Sequence, residues 1–197
     1  MTVSEYGPDS STEGLTLAEI ADKLGSSEFD AAIHLLETAR GHVSMVFHTL
    51  ERPDVETIFV DPLVMVASDG SAVAPYGQLA SDYYPHPRNY GCFPRVLGDF
   101  VRDRDLVTIE EAVRKMTFLP ASRFNLEKRG RLAAGWFADI TVFNPNTVAD
   151  RATFEDPRRF PDGIPYVLVN GEPVVRGGEH TGATPGRVLF SESAGSH

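Results

Sequence analysis

Apolar positions recur at helical spacing twice near the start of the chain. Leu17, Ile20, Ala21 and Leu24 fall on one face of a helical repeat, with Thr16 placed to cap the first turn and Gly25 to end the last. Phe29, Ala32, Ile33 and Leu36 repeat the pattern; Ser26 or Ser27 can cap this second helix and Gly41 can close it. The pattern then changes. Residues 43–47 are a short, β-branched apolar run of the kind buried in parallel sheets, residues 53–59 read as a short helix with Pro53 in its first turn, and residues 63–67 form a second apolar run. Helix alternating with continuously apolar strand predicts a parallel α/β architecture.

Residues 68–94 are rich in Gly, Pro, Tyr, Ser and Asp and are too long for an ordinary connection within a compact domain. Such loops carry binding residues more often than the elements they join. Helices are predicted over 93–103 and 108–117, the second opening on Thr108-Ile109-Glu110-Glu111, in which Thr108 and Glu111 can satisfy each other's amides as a capping box. After Pro120 the texture alters again. Residues 138–143 alternate, and residues 166–169 and 173–175 flank Asn170-Gly171, the strongest short hairpin signal. The organisation expected is a flexible lead-in over 1–14 that contributes little to a core, an α/β part over 15–130, a β-rich module over 131–190 with its boundary between Gly130 and Gly135, and a tail over 191–197.

Composition narrows the setting. No apolar stretch approaches the length needed to cross a bilayer, and the opening MTVSEYGPDSSTEG lacks the basic flank and apolar core of a secretory signal, so a cytoplasmic location is expected. A formal net charge of -10, with Lys and Arg dispersed among acids, argues against a nucleic-acid surface. A single cysteine, Cys92, excludes an internal disulfide framework and any CxxC metal knuckle.

The candidate chemistry centres on Ser68-Asp69-Gly70, directly after the apolar run 63–67. A carboxylate at the C-terminal end of a barrel-type strand points into the mouth where such enzymes react their substrates, and near a metal-bound water it can take a proton and hand it to a leaving nitrogen. The same triplet also reads as an ordinary turn, with Asp capping its own backbone and Gly taking a positive φ. His86-Pro87-Arg88-Asn89 lies in the long loop: Arg88 presents a fork suited to a substrate carboxylate, and His86 can donate a hydrogen bond or bind metal, although a proline-braced aromatic loop also packs for its own sake. Six histidines occur, at 34, 42, 48, 86, 180 and 197, and none forms a His-x-His pair or a His-Glu-x-x-His helix. His48 follows the run 43–47 and is placed for packing or support of a site rather than as an evident ligand. Cys92 has no basic partner in sequence that would make it a thiolate.

Several longer segments, in order, carry a resemblance. Residues 64–70, His86 to Gly98, Glu110 to Thr117, Gly135 to Ile140, Thr147 to Pro157, Val169-Asn170-Gly171 and the glycine-rich close through Leu189 resemble the C-terminal part of the N-acyl-D-amino-acid deacylases, or D-aminoacylases, of the amidohydrolase superfamily. The resemblance runs from about Leu15 to Leu189. It implies the last βα units of a TIM-type barrel over 15–130 and C-terminal strands of a small β-sandwich over 131–190. It also implies zinc-dependent hydrolysis of the linear amide of N-acyl-D-amino acids to a carboxylate and a D-amino acid. Asp69 matches the family's aspartate after the last barrel strand, the proton shuttle beside the metal and itself a metal contact; Ser68 and Gly70 flank it, and His86 and Arg88 match a loop motif implied to touch substrate.

In that family a cysteine and histidines from earlier strands hold the metal, and they precede the segment matched here. The expectation is therefore an incomplete fold, poor zinc affinity and no activity on its own, the chain being either a fragment of a longer gene product or one half completed by an N-terminal half on a separate chain. A non-catalytic remnant that binds or assembles, and a hydrolase of cyclic amides of the hydantoin kind, are the alternatives.

Overall fold

The computed structural model describes residues 1–80 and 83–190, so the expected tail over 191–197 lies outside the described residues. Contacts divide the chain into two units. The first comprises Met1–Glu51, Asp69–Tyr90 and Ala152–Arg159; the second comprises Arg52–Ser68, Gly91–Arg151 and the segment from Phe160. This division does not coincide with a boundary near Gly130 to Gly135.

In the first unit, β1 (Thr2–Tyr6) pairs antiparallel with β2 (Val43–Val46), Val3 opposite Met45 and Tyr6 opposite Val43, with an irregularity between Val3 and Glu5. Two expectations are corrected here. The lead-in is not frayed: Val3 is fully buried and Tyr6 nearly so, at the centre of a core with Leu17, Ile20, Ala21, Ala31, Leu35 and Ala39. The run 43–47 is not a parallel strand, because the neighbour that supplies its ladder is the antiparallel β1.

Helix α1 (Leu17–Leu24) begins at a complete capping box: the Thr16 amide donates to Glu19 Oε2 at 2.7 Å and the Glu19 amide donates to Thr16 Oγ1 at 3.3 Å. Gly25 ends it at φ +62°, the left-handed conformation that a Cβ disfavours. Helix α2 (Glu28–Thr38) starts on Ser27, whose hydroxyl accepts from the Asp30 amide at 3.1 Å. Its buried face is Ala31 and Leu35 rather than the stripe of Phe29, Ile33 and Leu36, and Phe29 is 73% exposed. A small side chain at position 31 lets the helix approach the core closely, which turns the bulkier stripe outward.

In the second unit, α3 (Arg52–Phe59), the turns over Val96–Asp103 that follow α4 (Arg88–Arg95), and α5 (Ile109–Met116) supply the cluster of Phe59, Val96 and Ala112, with Phe100 edge-on to Phe59 at a ring separation of 5.0 Å. Pro94 lies inside α4 and the chain continues as π-type turns over Val96–Asp103, so the helix expected over 93–103 is the wide-turned end of one that starts at Arg88. Thr108 Oγ1 caps the Glu111 amide at 3.3 Å, but the box does not close. The Glu111 carboxylate turns instead to Arg114, meeting its Nε at 2.7 Å and Nη2 at 2.8 Å. A charged fork outcompetes a single backbone amide. Residues 63–67 join no strand among the described residues; this extended segment is held by α5, the Val66 amide donating to the Lys115 carbonyl at 3.2 Å.

After the short helix α6 (Phe118–Arg123), β3 (Ile140–Val142), β4 (Tyr166–Val169), β5 (Glu172–Arg176) and β6 (Glu179–His180) form one antiparallel sheet in that order. The β4–β5 hairpin turns on Asn170 (φ +50°) and Gly171 (φ +86°), as two positive φ values in succession require. Arg129 ties the turn in place, pairing with Asp139, donating to Asn170 Oδ1 at 2.7 Å and stacking over Phe137 at 4.1 Å.

Candidate active site

Asp69 occupies the left-handed region at φ +49°, a conformation that Asp tolerates better than most residues. Sequence reasoning expected Gly70 to take that role; it falls one residue earlier. Its side chain is 86% exposed and pairs with Arg88, Oδ2 to Nη2, at 3.0 Å. Because no strand forms over 63–67, Asp69 does not stand at a strand terminus. It is positioned by loop and helix contacts instead.

Those contacts come from the start of α4. His86 Nδ1 accepts from the Arg88 amide at 3.0 Å and the His86 carbonyl accepts from the Asn89 amide at 3.1 Å, so His86 caps the first turn, with Pro85 and Pro87 buried on either side. That turn presents Arg88 toward Asp69 and places Asn89 Oδ1 as acceptor for the Ser71 amide at 3.1 Å. The loop is thus gripped at 69 and 71 by two successive helix residues. One turn further along, Cys92 Sγ lies 3.7 Å from the Ala67 carbonyl, which fits a structural thiol. Of the residues singled out in sequence, Asp69 and Arg88 are brought together, His86 caps the turn that carries Arg88, and Ser68 and Gly70 flank Asp69 in the chain.

His48 takes a packing role. Its Nε2 lies 3.1 Å from Thr2 Oγ1, and its ring meets Phe154 edge-on at 4.6 Å, while His86 meets Phe154 at 5.1 Å. Two imidazoles therefore flank one phenyl ring. The segment around Phe154 is fastened by Tyr84, whose hydroxyl lies 2.7 Å from the Phe154 carbonyl and 2.8 Å from that of Glu155; burial, with Glu155 and Asp156 nearby, holds the Tyr84 phenol above its ordinary pKa. No periodic signal marks this segment in sequence.

Sequence reasoning also passes over two sites in the second unit. Asp150, 8% exposed at its side chain, receives Arg95 through Nη2 at 2.6 Å and Nε at 2.8 Å; a Cβ at Gly91 would fall 1.8 Å from its Oδ1. Lys115 is fully buried. Both lie in stretches without alternation or a known catalytic spacing, so only contact reveals them.

No group of three or more His, Cys, Asp or Glu side chains able to hold a metal ion occurs among the described residues. The donors present do not by themselves fit a zinc site, since a hydrolytic zinc takes three protein ligands and a water. No helix among the described residues is long and apolar enough to cross a membrane.

Comparison with known proteins places the chain in a family. Residues 63–175, which include Asp69, His86, Arg88 and Lys115, match the model of the amidohydrolase family, and the chain belongs to that family. It is 43% identical to D-aminoacylase of Alcaligenes xylosoxydans xylosoxydans over 92% of its own length and 44% identical to N-acyl-D-glutamate deacylase of the same organism over 80%. Among solved structures it superposes with a TM-score of 0.84 and 38% identity on D-aminoacylase, studied for the functional role of its binuclear metal center, over 96% of this chain. It superposes with a TM-score of 0.77 and 39% identity on N-acyl-D-glutamate deacylase from Bordetella bronchiseptica, complexed with zinc and a phosphonate inhibitor, over 88%. The resemblance seen in the sequence is thereby confirmed, and the α/β fold is of the amidohydrolase type. The chain spans about a third of the length of these relatives, 35% and 30% of the two Alcaligenes proteins and 37% and 34% of the two structures.

Proposed function

We propose that this chain contributes the proton-transfer carboxylate and the substrate-carboxylate anchor of a zinc-dependent hydrolase that splits the linear amide of N-acyl-D-amino acids into a carboxylate and a D-amino acid. The observation that carries the reading is the Asp69–Arg88 pair, 3.0 Å apart and open to solvent within the family-matched region. Asp69 takes a proton from the attacking water and delivers it to the amide nitrogen as the C–N bond breaks. Arg88 meets the substrate carboxylate with its guanidinium fork, which favours a linear N-acyl amino acid over a cyclic amide that lacks that group. No zinc donor set of three is assembled from the described residues, and the roles proposed for this chain are proton transfer and substrate orientation.

The architecture that accompanies this reading is the last βα units of a barrel with the closing strands of a sandwich, the portion of the relatives' length that this chain spans. The test is to combine the 197-residue chain with the N-terminal part of a D-aminoacylase and assay zinc-dependent release of D-amino acid from linear N-acyl-D-amino acids and from cyclic imides. Release confined to the linear substrates and lost in Asp69→Ala supports the proposal. No release, or release indifferent to Asp69→Ala, contradicts it.

A second reading, a non-catalytic module that binds or assembles, is favoured by the lack of a metal-holding group among the described residues. Stoichiometric zinc binding and turnover by the chain alone would dismiss it.

A further inference from the structure

Lys115 is the largest fully buried side chain among the described residues, and the proton-transfer scheme does not use it. A buried ammonium is unfavourable unless its hydrogens find partners, and burial pushes the Lys115 pKa below that of an ordinary lysine. Its partners are specific. Nζ donates to the Asp61 carbonyl and, at 3.0 Å, to the Val64 carbonyl, with the Phe59 ring 5.7 Å away and Glu111 Oε1 at 4.0 Å. The Lys115 carbonyl accepts the Val66 amide at 3.2 Å, and neighbouring Arg114 donates to the Pro62 carbonyl at 2.6 Å. Consecutive residues of α5, Arg114 and Lys115, therefore grip the main chain of 61–66 at four points. A methionine of similar length would fill the space but remove the donor from the Asp61 and Val64 carbonyls.

From this grip, and resting on the function proposed above for Asp69, we propose that Lys115 is a positioning residue: its ammonium fixes the backbone of the segment that leads, three residues beyond Val66, into Asp69. The segment has no strand neighbours among the described residues, so this clamp stands in for a β-ladder in setting its path. Held this way, the carboxylate keeps one placement relative to the substrate; released, it samples several.

The test is made on the whole chain. In the wild type, the Lys115 ammonium is expected to give a slowly exchanging nitrogen resonance, and Lys115→Met is expected to speed amide exchange at Val66 about tenfold or more. The same variant should shift the Asp69 carboxyl resonance, while the Ala112 amide, bonded to the Thr108 carbonyl within α5, exchanges as before. In the complemented deacylase assay Lys115→Met should lower kcat about tenfold or more with KM nearly unchanged, the signature of a misplaced reacting group. A folded Lys115→Met with wild-type Val66 exchange and an unmoved Asp69 resonance overturns the proposal. A wild-type ammonium that exchanges like that of a surface lysine overturns it too, and that measurement does not depend on the variant folding. Absence of deacylase activity in the wild type counts against the proposed function alone, because the exchange and carboxyl readouts need no substrate.

Discussion

Arg88 reaches from the first turn of α4 to place Nη2 3.0 Å from Asp69 Oδ2, and neither side chain is shielded from water: 42% of the one and 86% of the other remain exposed. An ion pair this open contributes between zero and about 1 kcal/mol to stability. Under the proposed function its value would lie in exchangeability, an incoming carboxylate taking the guanidinium while Asp69 turns to the amide.

Arg88→Met is therefore expected to raise KM for an N-acyl-D-amino acid by about tenfold or more while changing stability by less than about 1 kcal/mol. Arg88→Lys should recover only part of the loss, because a point charge does not reproduce the fork. Steady-state kinetics in the complemented assay, alongside urea unfolding, separates the two effects; a large stability loss with unchanged KM would contradict the assignment.

The capping box of α1 gives a pH prediction. Hydrogen bonds from the Thr16 amide and hydroxyl hold the Glu19 carboxyl below its ordinary value of 4.5. A depressed carboxyl contributes stability that is full above the unfolded-state pKa and lost as pH falls through the folded one. Glu19→Gln should therefore be less stable than wild type at neutral pH and nearly equal to it in strong acid. Thr16→Ala should cost about 1 kcal/mol at pH 7. Urea titrations at several pH values check both.

Gly91 admits no side chain, because a Cβ there would sit 1.8 Å from Asp150 Oδ1. Gly91→Ala must displace a carboxylate held by Arg95, and should destabilise by about 1–3 kcal/mol. Gly91→Ala combined with Asp150→Ala should cost less than the sum of the two single changes, which a double-mutant cycle measures.

At Gly171 the nearest atom to an added Cβ is Ala138 Cβ at 3.9 Å, so space is not the constraint. The cost of Gly171→Ala comes from φ +86° alone and should be about 1–2 kcal/mol. Thermal unfolding reads it; a neutral substitution would mean that the hairpin turn readily changes type.

What the sequence discloses is what short-range chemistry dictates. The Thr16 cap, the Ser27 cap and the Asn170-Gly171 turn are legible because each is satisfied within a few residues. β1 is not, since its partner β2 lies far along the chain and Pro8-Asp9 beside it mimics a loose terminus. Which stripe of α2 faces inward is likewise undecided by spacing, because Ala31–Leu35 and Phe29–Ile33 share one period. At the site, motif order draws attention to Asp69, His86 and Arg88, whereas the His86 cap on the Arg88 amide, the antecedent grip of Lys115 and the Asp150–Arg95 pair depend on contacts that no local pattern encodes.

The most direct test of the central claim is the rate of D-amino acid release by wild-type and Asp69→Asn chains, each joined with the same N-terminal part of a D-aminoacylase and saturating zinc. Removal of a proton-transferring group predicts a fall in kcat of about 10²–10⁴-fold with the fold intact by circular dichroism. An Asp69→Asn chain that releases product at the wild-type rate would contradict the account.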